Sequence, residues 1–67
     1  MFKGLLVCGD YNCWIEYESK SYKTYKEAYN DVYNYLDECN SLGCIPSINN
    51  IIYIEENNNV VWFWRFS

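Results

Sequence analysis

The alternation of apolar and polar positions changes period along this chain, and the changes mark its elements. Leu5-Leu6-Val7-Cys8 and Cys13-Trp14-Ile15-Glu16-Tyr17 are short β-type runs separated by Gly9-Asp10-Tyr11-Asn12, whose Gly, Asp and Asn tolerate turn dihedrals. They predict a first hairpin, with Cys13, Ile15 and Tyr17 on one face of its second strand and Trp14, Glu16 and Glu18 on the other. From Thr24 the period becomes helical. Thr24-Tyr25-Lys26-Glu27 fits a capping box, in which the Thr hydroxyl and the Glu carboxylate each satisfy a backbone N–H left unpaired at a helix start. The helical spacing turns Tyr25, Ala28, Tyr29, Val32, Leu36 and Cys39 inward. The helix should stop between Cys39 and Leu42, since Gly43 suits a left-handed cap and Pro46 cannot continue a helix.

Residues 50–56 and 60–66 then predict a second hairpin, joined through Asn57-Asn58-Asn59, because Asn reaches positive φ at small cost. The order is ββαββ. It predicts a single α+β domain over residues 1–67, a four-stranded, mostly antiparallel sheet with one helix packed on one face. A single helix covers one face only.

That shortage of cover makes the last strand informative. Val60, Trp62, Trp64 and Phe66 share one face, while Val61 and Phe63 share the other, so both faces are apolar. Either loops and tyrosines fold over the uncovered face, or it is an exposed patch to which Trp14 contributes. Such patches on small proteins mark protein interfaces, with Trp and Tyr as the usual anchors. Self-association through the sheet, as a homodimer, meets the same requirement.

Composition narrows the classes of partner. The chain has 67 residues, 51% apolar and 21% aromatic, too hydrophobic for disorder and short enough to bury only about 60% of its unfolded surface. Nine acidic residues against five basic ones give a net charge of -4, with no Lys/Arg cluster. Nucleic-acid affinity rests on phosphate neutralisation, so direct DNA or RNA binding is not expected and a protein partner with a basic surface is. The start of the chain lacks the apolar core of a signal peptide, and no run reaches the ~18 apolar residues of a membrane span. These features predict a cytoplasmic protein with reduced thiols, in the host cytoplasm if phage-encoded, and no membrane association. The abundance of Asn, Tyr and Ile, all with AT-rich codons, points to an AT-rich bacterial or viral gene.

Two constellations carry candidate chemistry. Glu27, Asp31 and Glu38, with Asn34 between them, lie at helical spacing on one face, about 5–6 Å apart per turn. Such a stripe is an ordinary solvated helix face, or it engages a basic groove in the manner of nucleic-acid phosphates. Cys8, Cys13, Cys39 and Cys44 form two C-x4-C pairs that the topology returns to one pole of the sheet. They read as structural thiols without a cofactor, with alternation pointing Cys13 and Cys39 at the core. Four zinc ligands stapling a regulatory module, or disulfides, are the alternatives. The chain has no His, so Ser or Cys nucleophiles lack their usual base, and no phosphate-binding Gly loop is present; catalysis is not expected.

In type, a small acidic chain with surplus aromatic surface and no catalytic apparatus is similar to stand-alone inhibitors of phages and mobile elements, anti-CRISPR proteins among them. That resemblance of character implies a non-enzymatic protein that blocks a host defence or nucleic-acid-handling protein. Trp14, Trp62, Trp64 and Phe66 would anchor it, and Glu27, Asp31 and Glu38 would set orientation and on-rate.

Overall fold

The computed structural model describes residues 1–9, 12–43 and 50–66, and of Phe66 the backbone alone. Asp10 and Tyr11 of the expected first turn, Cys44, Pro46 and the Phe66 side chain lie outside the described residues. The elements run β1 (Phe2–Cys8), β2 (Trp14–Tyr22), α1 (Tyr25–Ser41), β3 (Asn50–Glu56) and β4 (Asn59–Phe66). They form one antiparallel sheet in the order β2-β1-β3-β4, with the helix on one face, which is the expected ββαββ α+β architecture. The first hairpin is longer than its apolar runs suggested, because both strands extend through polar residues toward Phe2 and Tyr22.

Local chemistry explains where each element stops. Thr24 caps the helix in an extended conformation; its hydroxyl oxygen accepts the Glu27 N–H at 3.3 Å and its O–H donates to the Glu27 carboxylate at 2.9 Å. At the other end the Leu42 N–H reaches the Glu38 carbonyl at 3.1 Å, and Gly43 leaves the helix at φ +72. The β3–β4 turn is tighter than three residues. Asn57 and Asn58, at φ 53 and 67, are its two central positions, a type I′ turn whose twist matches that of the strands it joins.

The core lies between helix and sheet. Leu6, Cys8, Ile52 and Ile54 from the two central strands meet Ala28, Val32 and Leu36, all buried, with Phe2, Tyr17, Tyr22, Tyr29, Tyr35 and Trp62 packed around them. Tyr25, expected inward, is instead 52% exposed at the first helical turn, where the helix has not yet come over the central strands.

Gly4 fixes where the helix sits. A Cβ there would stand 2.5 Å from Val32 Cγ2 and 2.7 Å from the Ala28 carbonyl oxygen, so the helix backbone rests directly on β1. The helix backbone consequently comes close to β1, β2 and β3 but not to β4, which it reaches through the rings of Tyr25 and Tyr29. Three register shifts complete the geometry: two between β1 and β2 and one between β3 and β4. Each adds a residue to the outer strand and changes which side chains face the helix. One of them separates Ile15 from Tyr17, which were expected to share a face; Ile15 is on the open side and Tyr17 is under the helix.

Gly4→Ala is therefore expected to cost about 1–3 kcal/mol of stability, since neither the Ala28 carbonyl nor the β-branched Val32 can give way cheaply. Gly43→Ala, with open space around its Cβ, loses only the left-handed backbone preference, about 1 kcal/mol. Urea denaturation of the two variants measures the difference; equal midpoints would mean that helix and sheet are not in close contact at Gly4.

Candidate functional site

The fold distributes the candidate residues over two faces and two edges rather than collecting them. On the open face of the sheet, the register aligns Lys3, Leu5 and Val7 of β1 with Ser21, Glu18 and Ile15 of β2 on one side and with Glu55, Tyr53 and Ile51 of β3 on the other. Tyr53 and Ile51 in turn align with Phe63 and Arg65 of β4. The middle of this face is apolar. Phe63, 64% exposed, tilts against Tyr53 with ring centroids 6.2 Å apart, and Ile15 is 58% exposed. Leu5 is nearly buried although no described element lies over it, because Tyr53, Glu18 and Lys3 surround it. At the rim the Lys3 ammonium pairs with the Glu18 carboxylate at 2.6 Å; both side chains are well exposed, so the pair adds little to stability.

The expectation that the Trp62, Trp64 and Phe66 row forms the uncovered face is corrected. Trp62 aligns with the fully buried Ile54 and Trp64 with the fully buried Ile52, so this row is on the helix side. The register of a two-residue turn alone would align Phe63 with Ile52; the extra residue at Val61 moves Trp64 there instead. Trp62 meets Tyr29 edge to face at 5.3 Å and Tyr25 at 6.4 Å, and Trp64 lies beside Trp62 at 6.5 Å. Because the helix stops short of β4, Trp64 remains 55% exposed. Tyr25, Lys26, Tyr29, Asn30 and Trp62 line an open concavity of about 300 Å³ between helix and strand.

Trp14 is not part of this group. It belongs to β2, at the opposite edge of the sheet, three strand spacings or about 14 Å from β4. Its indole N–H donates to the Glu16 carboxylate at 3.0 Å, and the other oxygen of Glu16 accepts the Tyr35 hydroxyl at 3.1 Å. Glu16 therefore turns toward the helix side, not outward with Glu18.

The acidic helix stripe is also altered. Glu27 and Glu38 are exposed, but Asp31 accepts hydrogen bonds from the hydroxyls of Tyr17 at 2.6 Å and Tyr22 at 2.5 Å. Its carboxylate closes the seam between α1 and β2. Tyr17 stacks on Tyr35 at 4.3 Å in the same seam, and an open concavity of about 540 Å³ runs along it past Lys20, Glu27, Asn30 and Asn34. The tyrosines were the residues that sequence reasoning missed. Tyr17 and Tyr22 lie five apart around one extra residue, so strand alternation does not show that both face the helix; only the paired carboxylates at helical and strand positions hinted at acceptors for them.

These contacts shift the phenols. The hydrogen bond to Asp31 raises Tyr17, and the same bond followed by loss of hydration pushes Tyr22 up to about 12. Loss of hydration first, then the bond to Glu16, pushes Tyr35 up to about 12. Burial, with smaller effects of Glu16 and Cys39, raises the Cys8 thiol to about 11.

The cysteines do not form one described cluster. Cys8 is buried and donates its S–H to the Asn50 side-chain oxygen at 3.1 Å. Cys39 is half-buried, and Cys13, expected to point at the core, is exposed and directs its sulfur toward the Gly9 carbonyl at 4.0 Å. Cys44 lies outside the described residues. Among the described residues no three Cys, His, Asp or Glu side chains are placed to hold a metal ion. No described helix is long and apolar enough to cross a membrane. The chain matches no family model, and no similar curated protein or solved structure was found.

The seam has a predictable alkaline response. Tyr22, Tyr35 and Cys8 have folded-state values raised above their unfolded ones, so their contribution is fully present below about pH 9–10 and is lost as pH rises through 11 to 12; Tyr17, also raised, acts in the same direction. Stability measured by urea titration should fall across that window, and phenolate absorbance should show a late-titrating subset of the eight tyrosines. Asp31→Ala should lower stability at neutral pH and shift the titration of Tyr17 and Tyr22 downward, toward the ordinary phenol range. Unchanged titration in that variant would remove Asp31 as their acceptor.

Proposed function

We propose that this chain is a small non-enzymatic protein-binding domain that works as an inhibitor, occupying a surface of another protein. The observation that carries this reading is the open face of the sheet, where Val7, Ile15, Ile51, Tyr53 and Phe63 have no described element of the chain over them. An apolar face of this kind, rimmed by Lys3, Glu18 and Arg65, has the build of a docking surface, with Tyr53 on an inner strand and Phe63 beside it on the edge strand as aromatic anchors. Phe63, with Tyr53 beside it, takes the anchoring place that the sequence pattern assigned to Trp62, Trp64 and Phe66.

The charge supports the same reading. A chain of net charge -4 approaches a basic protein surface faster than a neutral one, and Glu27 and Glu38 add exposed negative charge on the helix. Absence of His from the whole sequence removes the commonest general base. Together these features favour steric occupation of a host protein, in the manner of inhibitors from phages and mobile elements that block host defence or nucleic-acid-handling proteins.

The test is a paired capture experiment. Immobilised wild-type chain should retain a basic host protein that Phe63→Glu loses by about tenfold or more, the effect of removing an anchor worth at least ~1.4 kcal/mol. Phe63 is largely exposed, so the variant should fold, and its circular dichroism and urea midpoint check that it does. If both proteins retain the same partner equally, the open face is not the docking surface.

A further inference from the structure

The two edges of the sheet are built differently. β2, on one side, carries Glu16, Glu18 and Lys20 and is interrupted twice by register shifts, devices that discourage another strand from pairing with it. β4, on the other side, runs eight residues with Arg65 as its single charge, no Pro and one register shift near its start. Val60, Val61, Phe63 and Trp64 are each more than half exposed. Among the described residues, its outer row of backbone N–H and C=O groups has no neighbouring strand. Such an edge is a template for another strand, and whatever pairs with it must be apolar on both faces.

We propose that the occupant is β4 of a second copy, paired antiparallel about a two-fold axis perpendicular to the sheet, to give a continuous eight-stranded sheet with both helices on one face. β4 meets its own requirement. In an antiparallel pair, residues directly opposite share a face, so the helix-side Trp row of one copy meets the helix-side Trp row of the other, and Phe63 faces the open side in both. With the axis at Phe63, Trp62 stands opposite Trp64 of the other copy, and Arg65 stands opposite Val61, so no like charges are directly opposed along the two strands; Lys26 borders the gap on the helix side.

The position of the helix makes room for this. Because Gly4 seats α1 on β1, with its backbone close to β2 and β3 but not to β4, the two helices are held apart across the joint. The gap between them is floored by both Trp rows and walled by Tyr25 and Tyr29 of each copy, the aromatic concavity described above closed by a second half. Charge favours the same edge. Asp31 and Glu27 lie on the helix flank that faces β2, far from the joint, so the acidic surfaces of two copies are kept apart. This inference goes beyond the inhibitory reading and does not depend on it: pairing uses the strand edge and the Trp row, leaving the Phe63 face open and doubled in extent.

Analytical ultracentrifugation of the purified full chain tests it without any partner, so its failure leaves the capture experiment above untouched. The wild type should sediment as a dimer at concentrations on the order of 10 μM, and Trp64→Lys should raise the dissociation constant about tenfold or more. Hydrogen exchange keeps the test decisive. Amides of β4 should gain protection as concentration rises through the dissociation constant, while those of β2 should not. A monomer throughout the accessible range overturns the proposal. So does a dimer whose β4 amides show no concentration-dependent protection, since that dimer would be joined face to face, or one that Trp64→Lys leaves intact while its fold is unchanged.

Discussion

The contact between Gly4 and the helix governs the rest of the molecule. A helix is about 10 Å across and a four-stranded sheet about 14 Å between its outer strands, so one helix cannot shield every strand equally. The absence of a side chain at Gly4 lets the Ala28 carbonyl and the Val32 methyl come down onto β1, and that choice decides which edge is sheltered. Toward β2 the shelter is polar and specific, made of Asp31 and Glu16 receiving the hydroxyls of Tyr17, Tyr22 and Tyr35. Toward β4 it ends in aromatic rings, with Tyr29 and Tyr25 reaching out to Trp62 and leaving Trp64 beyond their reach. The asymmetry of the protein, with one flank carboxylate-laced and the other apolar, follows from where a single glycine stands.

Much of this architecture could be read from residue patterns whose causes are local. Thr24 and Glu27 satisfy each other's neighbourhood within four residues, and Gly43 and Asn57-Asn58 take their left-handed conformations for reasons that need no tertiary context. The helix, its ends, the second hairpin and the ββαββ order were therefore legible. Facing was not. A strand's two sides are told apart by counting, and one inserted residue reverses the count. The insertion at Val61 put Trp62 and Trp64 over the core and Phe63 outside; those near Glu16 and at Ser19-Lys20 put Tyr17 and Tyr22 beneath the helix. Nothing in Val-Val-Trp or in Glu-Tyr-Glu signals a bulge, because bulges arise from twist and fit between strands.

The cysteines show the same difference between path and facing. Topology brings Cys8 and Cys39 to one end of the sheet, near enough for charge on one to be felt by the other, as the pole argument required. Their sulfurs nevertheless serve different surroundings. Cys8 fills a core position and donates a hydrogen bond to Asn50, while Cys13, just before the start of β2, points at a loop carbonyl in solvent. Sharing a pole is a property of the backbone path; sharing a ligand is a property of side-chain direction, and here the directions diverge.

The strand order also sets how the chain must assemble itself. Each hairpin pairs neighbours in sequence, and the tight Asn57-Asn58 turn lets β3 and β4 meet within microseconds. Joining β1 to β3 is a different event: Cys8 meets Asn50 across 42 positions, and the loop entropy of that closure must be met before the core contacts reward it. A β3–β4 hairpin formed ahead of that closure would leave Ile52, Ile54, Trp62 and Trp64 uncovered and have two open edges instead of one. The docking of β1, carrying Gly4 and the seat for the helix, is thus the step that turns a sticky hairpin into a protected sheet, and chains crowded together before that step face their greatest risk of pairing with one another in the wrong way.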